Sequence, residues 1–161
     1  KAYTTRVGAG PFPTELTDAV GDRIRQAGGE YGTTTGRPRR CGWLDLPILR
    51  YAAQINGLAE LALTKLDVLT GIQPLKVAVA YERDGERIER FPGEWGAEEV
   101  VRWQPVYEEL PGWDEEIRSA RRWEDLPKTA RAYVERIEEA VGVPVTLIGV
   151  GPEREEVVRR G

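Results

Sequence analysis

Apolar residues recur every three or four positions in three stretches of the chain, a spacing that places them on one face of an α-helix. The pattern predicts helices that begin near Thr14 and near Pro47, and a third that covers Lys128–Val141. Glycines follow all three stretches, as is typical of helix ends. The residues expected to face inward are Leu16, Val20, Ile24 and Ala27 in the first helix; Ile48, Ala52 and Ile55 in the second; and Ala130, Tyr133, Val134, Ile137 and Val141 in the third.

Shorter apolar runs between these helices predict β-strands. The expected strands are Ala2–Val7, Leu61–Val68, Val106–Leu110 and Val145–Ile148, together with a hairpin formed by Val77–Tyr81 and Arg87–Phe91 around Arg83-Asp84-Gly85. Strands that alternate with helices indicate an α/β fold with a mainly parallel sheet, packed helices and one hairpin. Because no linker divides the chain, residues 1–161 are interpreted as one domain.

The composition is that of a globular chain, with 40% hydrophobic and 31% charged residues and no apolar run long enough to span a membrane. A net charge of −4 argues against a general nucleic-acid binder. The single cysteine, Cys41, cannot form an internal disulfide, so a cytoplasmic location is expected. Cys41 itself is interpreted as a small half-buried apolar residue, with a reactive thiol beside Arg40 as the less favoured alternative.

The chain contains no histidine, which excludes histidine metal sites and catalytic Ser–His or Cys–His pairs. Any chemistry must therefore use carboxylates, lysine, arginine, hydroxyl groups and backbone amides. The chain also lacks a Gly-x-x-x-x-Gly-Lys loop, so it has no recognisable cradle for nucleotide phosphates.

Thr64-Lys65-Leu66-Asp67 lies at the end of a predicted strand and resembles the guanine-recognition element of P-loop GTPases, with threonine in place of asparagine. A carboxylate at Asp67 could accept hydrogen bonds from guanine N1–H and from the exocyclic amine, whereas adenine would leave it unpaired. The stem of Lys65 could lie along the purine face. The alternative is an ordinary strand end that carries a surface ion pair.

The segment Gly32–Arg40 combines glycines, threonines and arginines without periodicity and is predicted to be an exposed loop that is mobile without ligand. Its Arg37–Arg40 run is a solvated patch, a nucleic-acid contact or an anion-binding loop. Glu15 and Glu30 are interpreted as braces of such loops without chemistry, and Asp45 as the cap of the second helix. The five tryptophans are interpreted as packing residues rather than a base-stacking platform: Trp43, Trp95, Trp103, Trp113 and Trp123.

Several motifs in a fixed order resemble the adenylosuccinate synthetase family across essentially the whole chain. They are Lys1–Glu15, Tyr31–Arg40, Gly42–Asp45, Asn56–Leu58, Leu63–Leu69, Pro111–Trp113 and Gly151–Arg154. The resemblance is to the C-terminal part of that family and implies a P-loop-NTPase-related α/β fold. It also implies that the phosphate-binding loop, the catalytic residues and the metal ligands lie outside residues 1–161, which are therefore expected to be inactive alone.

The resemblance also implies which residues bind the substrates. Aspartate is expected to contact Thr33, Thr34, Thr35, Gly36, Arg37, Pro38 and Arg39, and inosinate (IMP) to contact Val7 and Arg37. GTP is expected to contact Arg39, Lys65, Leu66, Asp67, Gly149, Val150 and Gly151. Two positions depart from the family pattern, since Pro38 stands where many members have a basic residue and Gly149 stands where a serine is common.

The complete enzyme of this family joins IMP and L-aspartate into adenylosuccinate in the biosynthesis of AMP, using GTP and Mg²⁺. The resemblance thus implies a ligase that works as a homodimer with small-molecule substrates and without nucleic-acid or membrane partners. Residues 1–161 are expected to select guanine and to capture aspartate. The alternative is a non-catalytic guanine-nucleotide-binding module, which has no need for the Gly32–Arg40 loop. An RNA-binding domain using Arg37–Arg40 and the tryptophans is a weaker alternative, because the chain is acidic.

Overall fold

A computed structural model describes residues 1–160 and confirms the α/β class. The helices are α1 (Ala19–Ala27), α2 (Leu46–Asn56), α3 (Ala97–Val100) and α4 (Lys128–Val141). The strands are β1 (Thr4–Arg6), β2 (Arg40–Gly42), β3 (Leu44–Asp45), β4 (Leu61–Leu63), β5 (Leu75–Arg83), β6 (Glu86–Ile88), β7 (Gln104–Leu110), β8 (Val145–Gly149) and β9 (Val157–Arg159). The pairing is mixed rather than mainly parallel, since β3–β5 and β4–β8 are parallel whereas β1–β2, β5–β6 and β8–β9 are antiparallel.

The chain folds as two compact units. The N-terminal unit comprises Tyr3–Tyr51 and Lys76–Glu108. The C-terminal unit comprises Lys1–Ala2, Ala52–Leu75 and the chain from Glu109 onward. The interpretation of the chain as a single domain stays a prediction.

The N-terminal unit contains two small sheets. In the first, β1 pairs with β2 so that Arg6 lies opposite Arg40. In the second, β5 lies between β3 and β6 and also pairs with β7. The predicted hairpin is confirmed: Asp84 and Gly85, both with positive φ, form the two-residue turn between β5 and β6. Its second strand is shorter than predicted.

Helix α1 begins at Ala19, and the predicted start near Thr14 is wrong. The carboxylate of Asp18 accepts hydrogen bonds from the amides of Val20 and Gly21 and caps the helix. Thr14 is fully buried before the helix, where its hydroxyl donates a 2.7 Å hydrogen bond to the carbonyl of Trp43. Thr14, which looks like a helix start in the sequence, is therefore held in place by a long-range contact instead.

Helix α2 matches its predicted position, and its predicted cap is confirmed. The carboxylate of Asp45 accepts hydrogen bonds from the amide of Ile48 at 3.1 Å and from the hydroxyl of Tyr81 at 2.5 Å. The prediction that Ile55 faces inward is wrong, because its side chain is 63% exposed near the end of the helix. Asp45 is buried, and this burial raises its pKa to about 6 against the opposing effect of its two donors.

The C-terminal unit is built on the sheet β4–β8–β9 and on helix α4. Helix α4 has its predicted bounds and buried stripe, and Gly142 ends it in the left-handed conformation. Strand β4 covers only the first three residues of the predicted strand. Lys65 adopts φ 61°, which turns the chain into a short 3-10 helix over Leu66–Leu69.

The tryptophans serve mainly in packing, as predicted. Trp43, Trp103 and Trp113 are buried, and Trp95 stacks on Trp103 with ring centres 4.8 Å apart. The guanidinium of Arg160 lies 3.8 Å above the ring of Trp123. Cys41 is buried in β2, which supports its interpretation as an apolar residue. No helix within residues 1–160 is both long enough and apolar enough to span a bilayer.

Candidate functional site

The N-terminal unit contains a cleft of about 550 Å³ at the Gly32–Arg40 loop. It brings together five of the residues that the family resemblance assigns to aspartate or IMP: Val7, Thr35, Arg37, Pro38 and Arg39. Four further residues, to which the resemblance assigns no ligand, complete its lining: Arg6, Gly8, Gly32 and Arg40. Val7 is notable because its apolar side chain is 77% exposed there.

The tip of the loop is closed on itself by backbone hydrogen bonds. Gly32 N–H donates to the carbonyl of Arg37 and Gly36 N–H donates to the carbonyl of Gly32, both at 2.8 Å. Residues 33–38 are exposed, as predicted, whereas the mobility of the loop stays a prediction. The hydroxyl groups of Thr33 and Thr34 have no hydrogen-bond partner among residues 1–160, so both are available to a ligand.

The arginines of the cleft differ in how fully their donors are used. Arg40 forms a two-pronged ion pair with Glu15, at 2.8 and 2.6 Å, and donates from Nη1 to the carbonyls of Gly8 and Gly10. These bonds lower the pKa of Glu15 and raise that of Arg40. Arg40 is therefore a structural residue that holds the segment containing Gly8 and Gly10.

Arg39 is anchored at one nitrogen only, since Nη1 donates a 2.9 Å hydrogen bond to Glu30 while 30% of its side chain remains exposed. Arg37 is exposed and makes no side-chain ion pair or hydrogen bond within residues 1–160. Arg6 donates only to the carbonyl of Ala9, at 3.3 and 3.1 Å. Since Glu15 and Glu30 neutralise two of the four arginines, the cleft keeps an excess of positive charge suited to an anionic ligand.

The C-terminal unit places Asp67 at the start of the turn that follows β4. Its carboxylate oxygen Oδ1 is buried and accepts no hydrogen bond from any group of residues 1–160. Burial raises the pKa of Asp67, while a hydrogen bond from its own backbone amide and the positive charge of Arg118 lower it. A buried acceptor without a donor costs free energy unless a ligand supplies the donor, so this oxygen indicates a binding position.

The segment Gly149–Gly151 lies beside this turn, because the parallel pairing of β4 with β8 sets Leu63 opposite Ile148. A β-carbon on Gly149 would lie only 3.3 Å from Thr64 Cα, so glycine permits the close approach of the two segments. The side chains of Leu66 and Val150 are fully buried, and both residues can offer only backbone groups to a ligand.

A family model described as adenylosuccinate synthetase matches residues 1–158. The chain belongs to the adenylosuccinate synthetase family. This confirms the resemblance of the motifs to that family and shows that the α/β fold carries a family-specific sequence rather than a general nucleotide-binding pattern.

Relatives named adenylosuccinate synthetase match nearly the whole chain. One from Methanothrix thermoacetophila is 60% identical over 158 residues, which are 98% of this chain and 37% of that protein. The Myxococcus xanthus protein is 56% identical, covering 98% of this chain and 36% of its own length. A maize protein named as chloroplastic is 58% identical, covering 98% of this chain and 32% of its own length. The chain thus spans about a third of the length of these relatives.

A solved structure described as fully ligated adenylosuccinate synthetase from Plasmodium falciparum is similar in fold, with a TM-score of 0.94 and 43% sequence identity. The match covers 99% of this chain and 38% of that one.

Four residues beside the two sites make contacts that no sequence pattern predicts: Tyr3, Glu30, Arg118 and Glu156. Glu156 pairs with Arg118 at 3.0 Å, and its backbone carbonyl accepts a 2.9 Å hydrogen bond from Val150, which closes the loop after β8. No local pattern indicates these contacts, since the partners lie far apart in sequence. Within residues 1–160, no group of three or more Asp, Glu, His or Cys side chains is placed to hold a metal ion.

Proposed function

We propose that residues 1–161 supply the guanine-recognition and aspartate-binding parts of an adenylosuccinate synthetase, which joins IMP and L-aspartate with the use of GTP. The observation that carries the proposal is the buried, unpaired Oδ1 of Asp67. A carboxylate accepts the two parallel donors of guanine, N1–H and the exocyclic amine. Adenine offers an acceptor in place of the first donor and lacks the second, so it would leave a buried acceptor unpaired.

The other expected contacts to the base come from residues of the turn after β4 and of the neighbouring segment that follows β8. Lys65 adopts a left-handed backbone conformation two residues before Asp67, and the stem of its side chain would lie along the purine face. Gly149, Val150 and Gly151 would contact the base through their backbone, and the same holds for Leu66. The further assignment of Arg39 to the guanosine nucleotide stays a prediction.

The cleft of the N-terminal unit is assigned to aspartate and IMP. Thr33, Thr34, Thr35 and Gly36 would donate hydroxyl and amide hydrogens to the aspartate carboxylates, with Pro38 stiffening the loop beside them. Arg39 would pair with one carboxylate, and Arg37 would contact the IMP ribose. The exposed side chain of Val7 would lie against IMP. These residues would hold the amine of aspartate in the orientation needed for attack.

The chain spans about a third of the length of its relatives, and its sequence lacks a Gly-x-x-x-x-Gly-Lys loop. We therefore assign Mg²⁺, the phosphates of GTP and the catalytic groups to other residues of the longer enzyme. The contribution of this chain is selection and orientation of substrates, with closure of the Gly32–Arg40 loop excluding water around aspartate.

We also propose that the longer enzyme is a cytoplasmic homodimer that acts on small molecules and binds neither nucleic acid nor membrane. Cys41 is buried and forms no disulfide, which agrees with a reducing compartment. The maize relative is named as chloroplastic, so members of the family are not confined to one compartment.

The test uses what we call the completed enzyme: the Methanothrix thermoacetophila relative with its matching 158 residues replaced by those of this chain. We expect it to form adenylosuccinate only when IMP, aspartate and GTP are all present, and we expect no product when ATP replaces GTP. Residues 1–161 alone, assayed in parallel, should form none. A completed enzyme that folds and binds GTP without forming product would instead favour the non-catalytic guanine-nucleotide-binding module.

A further inference from the structure

We propose that Glu30, held in place by Tyr3, is a positioning residue that aims Arg39 at a carboxylate of aspartate. The inference rests on the proposed function, because it assumes that Arg39 contacts aspartate. From its sequence context, Glu30 was expected to serve only as a loop brace. The structure indicates that this carboxylate sets the specificity of the neighbouring site.

Glu30 is fully buried, and each of its carboxylate oxygens has its own donor. The hydroxyl of Tyr3 donates a 2.6 Å hydrogen bond to Oε1, and Nη1 of Arg39 donates a 2.9 Å hydrogen bond to Oε2. Two donors on opposite oxygens fix the rotation of the carboxylate plane. The guanidinium of Arg39 therefore has a fixed anchor on the protein side.

Arg39 keeps donors for a ligand after this bond is made. Nε and Nη2 have no hydrogen-bond partner within residues 1–160, and the side chain lines the cleft. A planar guanidinium that is anchored by one nitrogen presents its remaining donors in a defined plane, which suits two-pronged binding of a carboxylate. Arg40 lacks this capacity, because all of its nitrogens already donate to Glu15, Gly8 or Gly10.

The backbone holds the same two residues in register at the base of the loop. Arg39 N–H donates a 2.9 Å hydrogen bond to the carbonyl of Glu30, and Tyr31 pairs with Pro38. The side chain of Arg25 donates from Nε to the carbonyl of Arg39 at 2.8 Å. Backbone and side-chain hydrogen bonds between Glu30 and Arg39 thus fix the position of Arg39 relative to Glu30.

Gly28, directly after α1, makes room for the hydroxyl of Tyr3. A β-carbon at this position would lie 2.2 Å from that hydroxyl oxygen. The absence of a side chain therefore allows Tyr3 to reach Glu30, and it links the end of α1 to the orientation of Arg39.

The test measures steady-state kinetics of the completed enzyme carrying Glu30→Gln, which keeps the shape of the side chain but removes its charge. We expect the KM for aspartate to rise about tenfold or more, while the KM for IMP and kcat at saturating aspartate change less than about twofold. Tyr3→Phe should raise the KM for aspartate in the same direction by about threefold.

A double-mutant cycle separates positioning from general damage. In the Arg39→Leu background, adding Glu30→Gln should cause no further rise in the KM for aspartate, because the group through which Glu30 acts is gone. The matched control is Glu138→Gln, which removes the carboxylate of the 2.7 Å pair with Arg160 in the C-terminal unit and should leave aspartate kinetics unchanged.

Independent, additive effects of Glu30→Gln and Arg39→Leu would overturn the inference, as would an equal rise in the KM values for IMP and aspartate. If Glu30→Gln does not fold, Tyr3→Phe decides, and an unchanged KM for aspartate in that variant would refute the positioning role. Failure of the proposed function has a different signature: the unmodified completed enzyme would form no adenylosuccinate from its three substrates.

Discussion

The two candidate sites present opposite physical features to a ligand. In the N-terminal unit, the exposed Thr35 and partly neutralised arginines line a cleft of about 550 Å³ that is open to solvent. In the C-terminal unit, one buried carboxylate oxygen lacks a hydrogen-bond partner. The first arrangement would attract an anion over some distance, and the second would favour only a ligand that places a hydrogen-bond donor at this oxygen.

The difference indicates how each site discriminates. A charged cleft tolerates small changes in ligand shape and loses strength when salt screens its charges. A buried acceptor is little affected by salt, but it penalises every ligand that fails to supply a donor. Selection of the base is therefore expected to depend on one atom, whereas capture of aspartate depends on the arrangement of several side chains.

The largest expected effect is on base selection. Asp67→Asn replaces one acceptor with a donor that faces the donors of guanine. In the completed enzyme it should lower kcat/KM for GTP about a hundredfold or more, while the use of XTP improves relative to GTP because the repulsion of its 2-oxygen is removed. Kinetics for both nucleotides at saturating IMP and aspartate provide the measurement. A constant GTP-to-XTP ratio would show that Asp67 does not read the base.

The second effect concerns Arg39, whose guanidinium is anchored to Glu30 at one nitrogen. Arg39→Leu removes a charge-assisted pair worth roughly 1.5–3 kcal/mol and should raise the KM for aspartate about tenfold to a hundredfold. The KM for IMP should change far less. Initial rates measured over a range of aspartate concentrations test this, and unchanged aspartate kinetics would contradict the assignment of Arg39.

A third prediction concerns Asp45. In contrast to Asp67, its buried carboxylate accepts hydrogen bonds from two donors, the amide of Ile48 and the hydroxyl of Tyr81. Burial raises the pKa of folded Asp45 to about 6, above its value in an unfolded chain, so the folded chain retains this proton longer. Its contribution to the free energy of unfolding should fall by up to about 3 kcal/mol as the pH rises from about 4 to 6, and should then level off.

Urea unfolding of the wild-type chain and of Asp45→Asn at several pH values measures this contribution. The asparagine variant keeps an acceptor for the amide of Ile48 and does not titrate, so its stability relative to wild type should increase with pH over that window. A difference between the two proteins that stays constant with pH would show that Asp45 has an ordinary pKa when folded.

The smallest effect expected is that of salt. Raising KCl from about 0.05 to 0.5 M should increase the KM for aspartate by a few-fold, because the arginines of the cleft are partly exposed. The preference for GTP over XTP should stay constant, since Asp67 Oδ1 is buried. Equal sensitivity of both properties to salt would remove the physical distinction between the two sites.

Local sequence patterns predict the elements whose stability is local. The bounds of helix α4 are predicted to the residue because its apolar stripe is regular and Gly142 ends it. The turn at Asp84-Gly85 is equally clear. The predicted start of α1 is misplaced because Thr14 bonds a carbonyl 29 positions away, while the actual cap, Asp18, carries the same local signal as many loop residues.

In the candidate sites, too, the sequence predicts some residues and misses others. The family motifs point directly to Arg37, Arg39 and Asp67, since each lies within a motif whose order along the chain is fixed. Tyr3 also lies within a motif and Glu30 directly precedes one, but nothing indicates that the two side chains meet, because they are 27 positions apart and obey no periodic pattern. Differences among neighbouring arginines are likewise invisible in sequence, since they depend on which carboxylate the fold brings to each one.

The missing β-carbon of Gly28 has a consequence for how a mutational scan of this chain should be interpreted. Gly28 is not among the residues that line the cleft at the Gly32–Arg40 loop, has a backbone conformation open to any residue, and would ordinarily be classed as a tolerant helix end. Even alanine there displaces the hydroxyl of Tyr3, and bulkier residues displace it further. A library selected for growth at low aspartate concentration should therefore keep glycine at position 28, although the residue does not line the cleft.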